Sequence, residues 1–254
     1  VTLHLSPSRL EAIRAPSMLL ALTEVPRAFG EYRALARASA LADEVPAGDG
    51  HPVLVIPGFM AGDGSTAGLR SFLGDVGYDA RAWALGRNFG PRSIGKEGEQ
   101  LIARLEDIHD ETGHTVSLVG WSLGGIMARI IAQRVPQCVR QIVTLGSPFA
   151  GSPRATNVWR AYEFLAGHRI DDPAAQMLLE LGMQHPPVPT TALYSRADGV
   201  VAWQNCRQRA SATTENVEVA GSHLGLCANP AVLRIVADRL AQPEGEWQPY
   251  AATA

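Results

Sequence analysis

The sequence predicts an α/β fold with a mostly parallel central sheet covered by helices on both faces. From residue 52 onward, short apolar runs bounded by glycine or proline alternate with longer segments of helical periodicity. Several of those runs are apolar at nearly every position, which suits strands buried on both faces rather than half-exposed ones. The chain has 254 residues, 46% hydrophobic and 19% charged, which suits a single α/β domain.

Residues 1–46 read as a helical N-terminal extension. Pro7 and Pro16 suit first helical turns, Pro26 interrupts the second segment, and the alanine-rich EYRALARASALADE continues it. EVPAGDGHP then breaks structure, and the main domain spans 47–254. Its strand candidates are VLVI (53–56), YDARAWAL (78–85), TVSLVG (115–120), RQIVTLG (140–146), TTALYS (190–195) and NVEVAG (216–221). Helical patterns separate them. Leu101, Leu105 and Ile108 share one face of EGEQLIARLEDIHD. Met127, Ile130, Ile131 and Val135 do the same after residue 122, and PAVLRIVADRL repeats the pattern near the end. The interval 153–189 is longer than an ordinary crossover. It holds two helical patterns, NVWRAYEFLAG and DPAAQMLLELGM, and reads as a small helical cap inserted between two strands.

Charge excludes some functions. The net charge is −3, from 22 basic and 25 acidic residues, and no basic run appears, so no nucleic-acid partner is expected. Cys138, Cys206 and Cys227 are too few and too scattered for a disulfide framework or a zinc site. Cys206 and Cys227 could pair, but free thiols are the expected reading. The opening VTLHLSPSRL lacks a basic head followed by an apolar core, and SMLLAL is too short to span a bilayer. The expected compartment is cytoplasmic. Contact with a membrane or lipid surface is not indicated, and nothing in the sequence sets an oligomeric state.

The chemistry centres on GWSLGG, 120–125, between the strand VSLVG and the helix IMARIIAQRV. The pattern G-x-S-x-G at a strand-to-helix junction exposes a serine hydroxyl above the strand ends. The backbone N–H of Leu123, at a helix N-terminus, can then stabilise an oxyanion. A helix N-cap serine with glycines for close packing is the other reading of the same turn. A serine hydroxyl is a weak nucleophile and needs a base with an orienting acid. Of the seven histidines, His223, in VAGSHLGL, lies beyond the cap and just past a strand. Asp198, in YSRADGVV, follows a strand and precedes a glycine; a plain turn aspartate is its alternative. The loop IPGFMAGDGS after the first sheet strand offers the Phe59 N–H as a second oxyanion donor, or else a simple Pro-Gly turn. Gly62-Asp63-Gly64-Ser65-Thr66-Ala67 loosely fits a dinucleotide loop, but it starts late and no acidic residue ends the next strand. No organic cofactor or metal is expected.

Together, VLVIPGF, GWSLGG, LGSPFAGS, YSRADGVV and VAGSHLGL resemble the α/β-hydrolase family, particularly its lipase- and esterase-like members. The resemblance covers about residues 52–240. It implies Ser122, Asp198 and His223 as nucleophile, acid and base, with Phe59 and Leu123 as backbone oxyanion donors. Many members carry His-Gly where this chain has Pro57-Gly58. The implied activity is hydrolysis of a small-molecule or lipid carboxylic ester through an acyl-enzyme. A thioesterase, amidase or acyltransferase would use the same residues, and a non-catalytic ligand-binding relative would share the fold. Met60, Trp121, Trp159 and Tyr162 are candidate pocket walls. For the two cap residues, packing inside the cap is the alternative.

Overall fold

In the computed structural model, which describes residues 13–35, 38–166 and 172–251, the described strands form one six-stranded sheet. They are β1 (Pro52–Ile56), β2 (Asp79–Ala82), β3 (Val116–Trp121), β4 (Val139–Leu145), β5 (Thr190–Tyr194) and β6 (Thr214–Glu218). The order is β2-β1-β3-β4-β5-β6, and every neighbouring pair is parallel. The chain moves outward from β1 to β2, then crosses back past β1 to β3. The strand order therefore reverses between β1 and β3, and a crevice opens there at the carboxyl ends of the strands.

The described helices are α1 (Met18–Leu35), α2 (Ala38–Ala42), α3 (Ala67–Val76), α4 (Pro91–Ile94) and α5 (Glu99–Thr112). They continue with α6 (Leu123–Arg134), α7 (Trp159–Ala166), α8 (Pro173–Met183) and α9 (Pro230–Leu240). Alternate strand residues divide between two cores, as the period-2 geometry of a strand demands. Val53, Val55, Val119, Trp121, Val143 and Leu193 pack against Leu69, Phe72 and Leu73 of α3 and Val232, Leu233 and Val236 of α9. On the other face, Leu54, Ile56, Leu118 and Ile142 pack against Leu101, Leu105 and Ile108 of α5 and Met127 and Ile131 of α6. Both faces are covered, so the strands carry apolar residues at consecutive positions. The predicted helix faces at 101–108 and 127–131 are these buried ones.

Three expectations need correction. The run 78–85 is strand only over Asp79–Ala82. The Trp83 N–H leaves the ladder for Asp63 Oδ1 (3.2 Å), its indole donates to Gly86 O (3.0 Å), and Ala84 turns the chain with φ of 61°. The last strand starts two residues earlier than predicted and ends at Glu218; beyond it the Val219 N–H still donates to Tyr194 O (2.9 Å), and the Ser222 N–H is taken by Glu31 of α1 (3.0 Å). Pro26 does not interrupt its helix: α1 runs through it. The proline removes the N–H that would donate to Leu22 O, and the neighbouring Leu20 O and Thr23 O accept from the Arg27 guanidinium (both 3.2 Å). Pro7 lies outside the described residues. Cys138, Cys206 and Cys227 are free and buried.

Candidate active site

Ser122 stands between β3 and α6 with φ of 53° and ψ of −120°. Such a conformation costs a residue with a side chain ~1–3 kcal/mol and persists only where its surroundings enforce it. Here the enforcement is close packing around glycines. A Cβ on Gly58 would lie 3.2 Å from Ser122 Cβ and 3.1 Å from the Trp121 ring. A Cβ on Gly124 would press on the carbonyls of Ile56 and Pro57, at the end of β1. The N-cap alternative for Ser122 is excluded by its side chain: the residue occupies the cap position of α6, yet it makes no capping hydrogen bond.

The hydroxyl instead meets His223, whose Nε2 lies 3.0 Å from Ser122 Oγ. His223 Nδ1 lies 2.6 Å from Asp198 Oδ2. An ionised carboxylate only accepts, so Nδ1 carries the proton and Nε2 is left to accept the serine hydroxyl. Asp198 serves both readings of its turn. Oδ1 accepts the Val200 and Val201 N–H groups (2.8 Å each), which locks the turn, while Oδ2 faces the histidine. Both residues are buried, 3% exposed in each case. Burial opposes a charge on the imidazole, but the Asp198 carboxylate outweighs it, with Glu24 adding to the effect, and the His223 pKa is raised.

The loop after β1 is braced by a residue the sequence reading passed over. Asn88, fully buried, donates from Nδ2 to Pro57 O (2.7 Å) and accepts the Met60 N–H at its own carbonyl (2.7 Å). Its N–H in turn donates to Ala61 O (2.8 Å). Phe59 lies inside this clamp, and Met60 is held at φ of 63°. Leu123 opens α6 beside Ser122, where first-turn N–H groups have no carbonyl one turn back.

Ser122 and Leu123 border a largely apolar cavity, which Phe59, Ile126, Met127, Ile130, Trp159, Tyr162, Leu178 and Leu179 also line. The Phe59 and Tyr162 rings meet at 5.1 Å, and burial pushes the Tyr162 phenol up to about 12. Two candidate walls stand elsewhere. Trp121 is directed behind the histidine, its indole donating to His223 O (3.1 Å). Met60 is 45% exposed outside the cavity lining, because its positive φ turns it outward. Phe164, on α7 with Trp159 and Tyr162, is exposed.

A second serine–histidine–aspartate chain lies at the opposite end of the sheet. His51 Nε2 is 2.8 Å from Ser117 Oγ, and its Nδ1 meets Asp49. Ser117 is fully buried at the start of β3, so no substrate can reach it. Burial, against the opposing effect of Asp49, lowers the His51 pKa. His109 and His185 hydrogen-bond main-chain carbonyls, and His4 and His168 lie outside the described residues. Among the described residues, no group of three His, Cys, Asp or Glu side chains could hold a metal ion.

The sequence missed a further set of residues: Glu24, Arg27 and Glu31 of α1 bond the turns that carry Asp198 and His223. The available signal was Glu24, Ala28 and Glu31 on one face of a helix whose opposite face is Leu22, Val25 and Phe29.

An all-parallel sheet of this order, with a strained serine at the end of β3, is the α/β-hydrolase fold. The chain's sequence and structural relatives include lipases. A family profile described as PGAP1-like alpha/beta domain matches residues 98–168. A triacylglycerol lipase of Burkholderia plantarii is 33% identical over 152 residues, covering 56% of this chain and 41% of the relative. One from Pseudarthrobacter phenanthrenivorans is 43% identical over 56 residues, covering 22% of this chain and 18% of the relative. The chain thus spans less than half the length of either curated relative. Among solved structures, Aspergillus fumigatus lipase B superposes with a TM-score of 0.58 at 18% identity, covering 80% of this chain and 56% of that one. Paleococcus ferrophilus monoacylglycerol lipase gives 0.56 at 16%, covering 78% and 96%. No described helix is long and apolar enough to cross a membrane.

Proposed function

We propose that this chain hydrolyses carboxylic esters through an acyl-enzyme formed on Ser122. The observation that carries the reading is the hydrogen-bonded chain Asp198–His223–Ser122 ending at an apolar cavity. In the first half-reaction His223 Nε2 takes the hydroxyl proton as Ser122 Oγ bonds to the acyl carbon. Asp198 keeps the ring oriented and stabilises its charged form. The Phe59 and Leu123 N–H groups receive the oxyanion, the C–O bond to the alcohol breaks, and His223 Nε2–H protonates the departing oxygen. In the second half-reaction His223 deprotonates water as it attacks the acyl carbon; the bond from that carbon to Ser122 Oγ then breaks, His223 Nε2–H returns the proton to Oγ, and the carboxylic acid leaves. This route calls on no metal or organic cofactor.

The described residues of the interval 153–189 serve as a cap over the cavity, through Trp159 and Tyr162 of α7 and Leu178 and Leu179 of α8. The apolar lining favours an aliphatic or aromatic acyl group, and the triacylglycerol and monoacylglycerol lipases among the similar proteins support a lipid ester. A fluorophosphonate probe tests the nucleophile: it should label the protein and fail on Ser122→Ala. Nitrophenyl esters of increasing acyl length, run with the same control, test the substrate class. Equal labelling or equal hydrolysis by Ser122→Ala would reject the reading.

A further inference from the structure

We propose that Glu24 is a positioning residue of the active site, its buried carboxylate tying the turn that carries Asp198 to the turn that carries His223. The inference rests on the roles given above to Ser122, Asp198 and His223. The β5–β6 ladder ends at Tyr194 and Glu218, so both turns project beyond the last paired strand residues. There the Ser195 hydroxyl donates across to Gly221 O (2.6 Å), and α1 supplies the ties at the acid and the base themselves. Glu24 is 3% exposed. Its Oε1 accepts the Gly199 N–H (2.7 Å) and the His223 N–H (3.1 Å), and its Oε2 accepts the Leu224 N–H (3.0 Å). Gly199 directly follows the acid, and the His223 N–H belongs to the base itself. One carboxylate therefore holds both partners of the Asp198–His223 hydrogen bond by their backbones.

The neighbouring residues of α1 extend the clamp. Arg27 donates to Ala197 O (2.7 Å) and to Glu24 Oε1 (2.9 Å). Glu31, two turns on, takes the Ser222 N–H (3.0 Å), the Ser222 hydroxyl and the Asn229 amide (3.0 Å). The loops are shaped to admit the helix: a Cβ on Gly199 would lie 2.5 Å from the Leu20 backbone, and one on Gly221 would lie 2.8 Å from Glu31 Oε1. The charged groups facing His223 are Asp198 from the β5 turn and Glu24 from α1. Glu31 binds one residue before His223, at Ser222, and Arg27 is the cation paired with Glu24. The field of Glu24 adds to that of Asp198 in favouring the charged imidazole. An amide at position 24 keeps the shape, removes the charge, and offers an NH₂ where a backbone N–H needs an acceptor.

The test compares wild type, Glu24→Gln and Glu24→Asp in the full chain. Each is read by the pH profile of ester hydrolysis and by NMR titration of the His223 ring, assigned with His223→Gln. Glu24→Gln should lower kcat ~10²-fold with KM within about threefold, as expected for a misplaced catalytic group. It should also move both the His223 titration and the acid limb of kcat/KM to lower pH. Glu24→Asp keeps the charge on a shorter arm, so kcat should fall while the titration stays near that of wild type. A purely structural role would lower the melting temperature and the folded fraction without moving the titration. That result, or a Glu24→Gln protein matching wild type in kcat and titration, would overturn the proposal. If Glu24→Gln does not fold, Glu24→Asp still decides, with kcat counted per fluorophosphonate-labelled site and the melting temperature measured beside it: a lowered kcat per site at a wild-type melting temperature supports the proposal, and an unchanged kcat per site, or a loss that only follows a lowered melting temperature, overturns it. Absence of Ser122-dependent hydrolysis in wild type would instead refute the esterase reading, and the NMR titration would still decide the role of Glu24.

Discussion

Gly124→Ala tests the packing that forces Ser122 into its strained backbone. The new methyl would lie 2.7 Å from Pro57 O and 2.8 Å from Ile56 C, with Ile56 O nearer still. These are backbone atoms at the end of β1, where the Phe59 loop begins, so no side chain can rotate out of the way. Relieving the nearest of these contacts to an ordinary separation of about 3.5 Å requires a relative shift of somewhat more than ~1 Å between α6 and that loop. Overpacking of this kind costs about 1–3 kcal/mol, and the better helix propensity of alanine returns up to ~1 kcal/mol. The net destabilisation, roughly 0–2 kcal/mol, lies within the stability of an ordinary domain, so the variant should fold. Activity should suffer more, because the same shift separates Ser122 and Leu123 from Phe59. A displacement near 1 Å is worth ~10²-fold, about 2.7 kcal/mol of barrier. Gly74→Ala is the control. Gly74 lies in the exposed interior of α3 with nothing within 4 Å of its absent Cβ, so the same change there should stabilise by ~0.5–1 kcal/mol and leave activity alone. Initial rates on a nitrophenyl ester, with melting curves for both variants, decide the matter. Wild-type turnover in Gly124→Ala would refute the argument that this glycine sets the spacing between the serine turn and the oxyanion loop.

Asp198→Asn should keep the fold, since an amide oxygen can still accept the Val200 and Val201 N–H groups, while turnover falls by roughly 10⁴; near-normal turnover would remove Asp198 from the acid role. Because the His223 pKa is raised and the ring must be neutral to accept a proton, activity on a neutral ester should be low in acid, with its acid limb above the ordinary histidine value of about 6.5. A limb below that value would contradict the geometry. Trp159→Ala should change the preference among acyl lengths and slow the acetate ester by less than about tenfold, some 1.4 kcal/mol. A uniform loss on every ester with a lowered melting temperature would show instead that Trp159 packs within the cap.

The residues that line up with the site were legible in sequence because each sits at a strand end marked by its own turn. Ser122, Asp198 and His223 follow β3, β5 and β6, and the glycines around them mark places where backbone approaches backbone. The pocket was less legible. Trp121 adjoins the serine in sequence, but at the end of β3 it faces the core and the His223 carbonyl. Met60 adjoins Phe59, but a positive φ turns it away. Adjacency along the chain does not set side-chain direction where the backbone is irregular. Asn88 could not be read at all, since its importance comes from where the β2–α4 connection returns against the β1 loop.

The sequence by itself determined the alternation of strands and helices, the two buried helix faces and the turns on which Ser122, Asp198 and His223 stand. Strand and helix periodicity and turn chemistry are local, and they survive in a linear reading. Only the tertiary structure decided that α1, which reads as an appendage, reaches into the site. Glu24 and His223 are 199 residues apart, and nothing in either local pattern specifies the other. A buried carboxylate must find hydrogen-bond donors, and the backbone N–H groups of two loops beyond the sheet need acceptors. That mutual requirement is met only when the chain has folded and brought them together.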